Sequence, residues 1–195
     1  MIRAAKIGAL VLLVTATLSI AFQVVVVPTA SMERTVLVGD HLLIDRFAYG
    51  PTIPFTQVHL PRLKKVQRGD VVSFHPPGKG NEVYLKRVVA LGGDRVEIRG
   101  SGLCVNGKLV ERHAQGMADM VVPSGQLFVL GDNRDRSEDS RSFGTVPEAN
   151  VIGEPVMVLW SFAVPTREWL QSQTAAYFNH PIARLRWERF FRRVQ

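Results

Sequence analysis

The chain has 195 residues, 46% of them hydrophobic and 21% charged, with a formal charge of +7 and one cysteine. That length fits one domain with a short appendage and suffices for a hydrophobic core, and the composition excludes a disordered or fibrous chain. A single cysteine excludes an internal disulfide and a Cys-rich zinc site. The charge sits at the ends. Residues 1–27 carry +2 from Arg3 and Lys6, and residues 182–195 carry +4 from five arginines against Glu188, which leaves +1 for residues 28–181. A broad nucleic-acid-binding face is therefore disfavoured, whereas basic ends beside apolar sequence suit an anionic membrane surface.

Ile7 to Val27 holds no charge, and as a helix it would span roughly 30 Å, the hydrocarbon thickness of a bilayer. With Arg3 and Lys6 before it, the positive-inside rule places the N-terminus in the cytoplasm and everything after Val27 outside. The rival reading is a cleavable signal peptide. The apolar run is longer than the usual 7–15 residues of such a segment, and a cut after Ala30 would put Pro28 where a small residue is wanted. An uncleaved anchor is the expectation.

Beyond the anchor the chain reads as short strands between turn signals: Val36–Ile44, Asp70–Phe74, Glu82–Leu91, Arg95–Arg99, Leu103–Val110, Gln126–Leu130 and Val151–Trp160. Asn106-Gly107 is a strong type I′ hairpin signal. Many short strands with Gly-rich turns predict a mostly β domain, a sandwich or barrel. Three regions are expected: residues 1–27 as N-terminus and anchor, 28–181 as the β domain, and 182–195 as a basic amphipathic tail. Within the domain, Phe47–Leu63 is Pro- and aromatic-rich and predicts a loop or irregular hairpin; its aromatics either touch lipid or pack on the domain. For the tail, an interfacial helix and a final strand containing Arg186-Trp187 both stay open.

Three segments could carry chemistry. Ser31 follows the apolar run within three to four residues, in Pro28-Thr29-Ala30-Ser31-Met32. Alone it is a turn serine, since a serine hydroxyl needs a base to become a nucleophile, and Gly-x-Ser-x-Gly is absent. The five histidines, His41, His59, His75, His113 and His180, lie in no triad or metal context. Lysine is the other available base. In Tyr84-Leu85-Lys86-Arg87-Val88-Val89, strand alternation puts Tyr84, Lys86 and Val88 on one face, so Lys86 either snorkels outward or is held in an apolar site with a lowered pKa. The third segment, Gly131-Asp132-Asn133-Arg134-Asp135-Arg136-Ser137-Glu138-Asp139-Ser140-Arg141, lacks Ca-loop spacing. Its alternating charges and serines suit a hydrogen-bonded wall around a site.

Taken together, the apolar N-terminus, Ser31-Met32 with Thr35 and Gly39-Asp40, Gly69-Asp70-Val71-Val72, Tyr84–Val89 and the cluster 131–141 resemble the bacterial type I signal peptidase family of membrane-bound Ser/Lys proteases. The resemblance runs through nearly the whole chain, and the cluster is its most specific part. It implies a coiled, barrel-like antiparallel β domain behind a single transmembrane helix, in the bacterial cytoplasmic membrane. It implies Ser31 as nucleophile, Lys86 as general base, and Thr29 with the Ser31 backbone N–H as the oxyanion hole. Ser137 would orient Lys86, and Arg87, Asp132, Asp139 and Arg141 would form structural ion pairs. Val25, Val27, Met32, Val36, Tyr84 and Leu85 would line the substrate pockets. The implied substrate is a secreted preprotein cut after Ala-X-Ala, with membrane lipids as further partners, no nucleic acid, and neither cofactor nor metal. A monomer is expected.

The sequence departs from the family pattern at Arg34, where proline is usual after Ser-Met-x, and at Gly92, another usual proline. Loss of a fixed φ near −65° predicts a looser turn after Ser31. Two alternatives accompany this reading: a specialised peptidase for one dedicated substrate, and a catalytically silent membrane-tethered β module.

Overall fold

The computed structural model describes residues 2–50, 60–99, 102–112, 119–163 and 185–194. Helix α1 (Ile2–Ala21) leads directly into strand β1 (Phe22–Val26). A 3-10 turn at Ala30–Met32 precedes β2 (Asp40–Asp45), and another at Phe47–Tyr49 follows it. Then come β3 (Val71–Phe74), β4 (Tyr84–Leu91), β5 (Arg95–Arg99), β6 (Gly102–Val105), β7 (Lys108–Glu111), β8 (Asp119–Val121) and β9 (Gln126–Leu130). The short helix α2 (Ser140–Phe143), β10 (Val146–Pro147) and β11 (Val151–Ser161) complete the framework.

The strands form two antiparallel sheets, one in the order β1-β2-β11-β3-β4-β9-β10 and a smaller one in the order β7-β6-β5-β8. β11 joins the two halves of the large sheet: Val151 and Gly153 pair with β3, while Glu154 to Ser161 pair with β2. The mostly β, antiparallel expectation holds, with the large sheet ending on β1 at one edge and β10 at the other. In the small sheet, Asn106 and Gly107 both adopt positive φ, 52° and 77°, as a type I′ hairpin turn between β6 and β7 requires.

Strand β9 shows how the core is built. Its side chains alternate between two faces, Leu127 and Val129 joining Val72, Phe74 and Val88, and Phe128 and Leu130 joining Val96 and Leu103. All are buried, because both faces of the strand are covered. A third cluster holds Met32, Val36, Leu42, Ile44 and Val158, and it seats the turn containing Ser31.

The apolar N-terminal run does not form one helix. From Phe22 the chain is extended, and Val25 pairs with Leu42 of β2. Four consecutive valines, Val24 to Val27, favour the pleated conformation. The uncharged helical part, Ile7 to Ala21, is therefore about 22 Å long, and among the described residues no helix is long and apolar enough to cross a membrane.

The two undecided segments resolve in part. Residues 51–59 of Phe47–Leu63 lie outside the described residues, but Ala48 and Tyr49 are buried in the core rather than facing outward. Tyr49 donates its hydroxyl to Asp70 (2.9 Å) and Glu154 (3.3 Å). Of the tail, residues 182–184 and 195 lie outside the described residues. The remainder forms neither an amphipathic helix nor a full strand: it runs along β11, with bridges from Leu185 to Phe162 and from Arg193 to Met157, and a 3-10 turn at Trp187–Arg189. Arg189 is buried there, its Nε 2.9 Å from Asp40 Oδ1.

Candidate active site

The 3-10 turn Ala30–Met32 is fixed from below by Met32, which is 1% exposed, and from the side by the loop that leaves β9. In that loop, Asn133 N–H donates to Ser31 O (3.0 Å) and Asn133 Nδ2 to Ala30 O (3.0 Å). The loop can come this close because residue 131 is glycine: a Cβ there would lie 2.6 Å from Ser31 O and would overlap Ser137 Oγ.

Lys86 reaches the same point from the middle of β4, opposite Val72 of β3. Its Nζ lies 2.8 Å from Ser31 Oγ, and its side chain passes near the Tyr84 ring, with Nζ 5.2 Å from the ring centre. The residue is 4% exposed. Burial depresses the ammonium pKa from 10.5 to about 8, and the negative charges of Asp139, Glu138 and Asp132 offset only part of that effect. The Thr29 hydroxyl donates toward Ser31 Oγ across 3.3 Å. A buried lysine with a depressed pKa against a serine hydroxyl is an arrangement able to move a proton.

Two ion pairs hold the surrounding wall. Arg87, also on β4, grips both oxygens of Asp132 (2.9 and 2.8 Å) and donates to Gly69 O (2.7 Å) and Thr35 Oγ1 (3.2 Å). Arg141 grips both oxygens of Asp139 (2.8 and 2.9 Å), and Gly131 N–H also donates to Asp139 (3.0 Å). Burial alone would raise both carboxyl pKa values. Their hydrogen bonds, chiefly from Arg87 to Asp132 and from Arg141 to Asp139, outweigh it and hold both below the ordinary carboxylate range.

Beside Ser31 opens a cleft of about 680 Å³. Val25, Val27, Met32, Tyr84 and Leu85, which the resemblance assigns to substrate pockets, line it, together with Leu42 and Ser73, which sequence reasoning did not name. These two come from β2 and β3, and nothing local marks them; only the sheet order brings them in. Val36 is a correction. It is fully buried among Met32, Leu42 and Ile44 and does not reach the cleft, because the turn after Ser31 folds it back into the core. Ser137, expected to orient Lys86, has its Oγ buried against Gly131, and no hydrogen bond joins it to Lys86. Among the described residues no group of His, Cys, Asp and Glu side chains could hold a metal ion.

The family described as "Signal peptidase, peptidase S26" matches residues 1–160. The chain belongs to this family. Its relatives include the signal peptidase I of Pseudomonas aeruginosa, 32% identical over 71% of this chain and 65% of that protein. The signal peptidase I of Leptolyngbya laminosa is 33% identical over 69% of this chain and 66% of its own length. The thylakoidal processing peptidase 1 of Arabidopsis thaliana is 32% identical over 69% of this chain and 41% of that protein. The chain thus spans just under two thirds of the Pseudomonas relative's length. A crystal structure of a signal peptidase I from Enterococcus faecalis aligns with 47% of this chain and 97% of its own, at 33% identity and a TM-score of 0.40. The signal peptidase family is one of peptidases, and Ser31 and Lys86 lie within the matched residues.

Proposed function

We propose that this signal peptidase family member is a membrane-tethered serine endopeptidase that removes signal peptides from exported preproteins, cutting after Ala-X-Ala-like sites by a Ser/Lys dyad. The observation that carries the reading is the 2.8 Å contact between a buried Lys86 Nζ and Ser31 Oγ. Neutral Lys86 takes the Ser31 proton as the oxygen attacks the scissile carbonyl carbon. Thr29 and the Ser31 N–H receive the oxyanion, where one such donor contributes about 10²–10³ in rate. Protonated Lys86 then gives the proton to the leaving amine. Water, deprotonated by Lys86 in turn, hydrolyses the acyl-enzyme. Small side chains upstream of the cut suit a cleft walled by Val25, Val27 and Leu85.

In this reading residues 1–27 supply the tether, residues 28–181 the catalytic domain, and residues 182–195 a tail held against it. The tether is α1, whose Ile7, Leu10 and Leu18 are 52–63% exposed. A helix with an apolar length of about 22 Å fits a bilayer only where its basic N-terminal end snorkels and the membrane thins. The N-terminus is cytoplasmic and the catalytic domain faces outward, as the positive-inside rule requires of Arg3 and Lys6.

The test compares wild type with Ser31→Ala and Lys86→Ala on a preprotein carrying Ala-X-Ala, between about pH 6 and 10. Only wild type should cut, with a rate that rises through about pH 8 as Lys86 loses its proton. Cleavage by Lys86→Ala at the wild-type rate would eliminate the proposed base.

A further inference from the structure

A second cleft, of about 310 Å³, adjoins the catalytic one: Val83 lines both. It lies where Gln23 of β1 meets the segments carrying Arg46, His75 and Asn150, with Arg62 at its wall. Its charge is unbalanced. Arg62 is neutralised by Glu148, to which it donates across 2.8 Å. Asp45, beside Arg46 in the chain, directs one oxygen to the backbone N–H of Phe47 (2.8 Å). Arg46 has no carboxylate partner among the described residues, and its Nε is buried without a hydrogen bond. An unsatisfied guanidinium N–H shielded from water is costly to a fold. Nε itself is closed to the cleft, but Arg46 lines the cleft with a positive charge that no carboxylate among the described residues offsets, and an anion seated there would supply the partner.

The position of Arg46 narrows the ligand. Its backbone N–H donates to the carbonyl of Ala21, the last residue of α1 (2.8 Å), so Arg46 sits at the point where the helix gives way to the sheet. A residue at the end of a membrane-inserted helix stands at headgroup height, among phosphates. The planar guanidinium fork matches phosphate oxygens in a way that a point charge does not. The cleft's volume lies at the small end of the range for ligand sites, about 300–1,000 Å³, which suits one phosphate group and not an extended peptide.

We infer that the Arg46 cleft is a binding site for a phosphate group, filled by the headgroup of an anionic lipid when the chain is in a membrane. The lipid source rests on the tether proposed above; the phosphate chemistry does not. Occupation would fix the catalytic domain's height and tilt on the bilayer through β1, the same strand that lines the catalytic cleft.

The experiment uses the full chain in a non-ionic detergent. One arm is titrated with a short-chain phosphatidylglycerol and the other with inorganic phosphate, both followed by phosphorus NMR. Saturable binding is expected in wild type, weakened about five-fold or more in Arg46→Gln, the factor that one basic side chain contributes at an anionic surface. Arg62→Gln, which leaves Glu148 uncompensated at the cleft wall, should weaken binding as well and reads the site if Arg46→Gln does not fold. Lipid binding that inorganic phosphate does not match supports the headgroup assignment, while equal affinity for both supports a free-anion site. Saturation in neither arm, or wild-type affinity in a folded Arg46→Gln, overturns the inference. Preprotein cleavage is measured on the same samples. Processing without phosphate binding removes this inference alone, and phosphate binding without processing removes the catalytic reading alone.

Discussion

Replacing Lys86 with methionine should abolish cleavage and make the protein more stable. The lysine is 4% exposed, and burial has lowered its pKa from 10.5 to about 8. At about 1.4 kcal/mol per pH unit, that displacement means the folded chain carries roughly 3 kcal/mol of unfavourable energy whenever Lys86 is charged. Folded Lys86 gives up its proton near pH 8, whereas unfolded Lys86 keeps it to about 10.5. Between those values the unfolded chain binds the additional proton, so wild type gains stability as the pH rises through that window. Methionine has nearly the same length and no charge to desolvate. Lys86→Met should therefore exceed wild type by about 2–3 kcal/mol at neutral pH, and the difference should shrink across pH 8 to 10.5. Guanidinium unfolding of the full chain in non-ionic detergent, followed by intrinsic fluorescence at several pH values, measures it. A variant no more stable than wild type at pH 7, or a difference independent of pH, would refute the argument that burial is what tunes this lysine.

Two further predictions concern the frame of the site. Arg189 and Asp40 form a buried pair, 6% and 0% exposed, so Arg189→Met leaves a stranded carboxylate and should cost about 3–5 kcal/mol, seen as a lower midpoint in chemical unfolding; an unchanged midpoint would show that the tail is not anchored there. Gly131→Ala puts a Cβ 2.6 Å from Ser31 O. It should displace the Ser31 turn and reduce kcat by about 10²-fold with little change in KM, and a wild-type kcat would show that the loop yields freely.

The contact between Ser31 and Lys86 was anticipated only through the family resemblance, since the residues by themselves left Ser31 a turn serine and Lys86 free either to snorkel outward or to be held in an apolar site. The Asn106-Gly107 hairpin was legible directly, because its turn chemistry is local. What escaped depends on distant partners. The run from Phe22 to Val27 is apolar except for Gln23 and carries no periodicity to separate helix from strand; only its pairing with β2 decides. Val36 has the composition of a pocket residue and the position of a core one. Arg189 reads in the sequence only as one of five arginines of a basic tail, yet its partner Asp40 lies 149 positions earlier. Leu42 and Ser73 enter the cleft through sheet order, which no local pattern encodes.

The bonds that hold the Ser31 turn have a temporal consequence. Asn133 and Asp132 meet residues 30–32 across about a hundred positions of sequence, so a chain emerging from the ribosome presents its serine long before it presents the loop that secures it. β4 and its lysine arrive midway, and β11, which pairs with both β2 and β3, arrives last. Pairings so distant in sequence form slowly. On the Ser/Lys mechanism proposed above, a nascent chain of this design carries Ser31 without the loop that holds its turn until residue 133 has been made, so proteolysis would begin only after most of the chain has been synthesised.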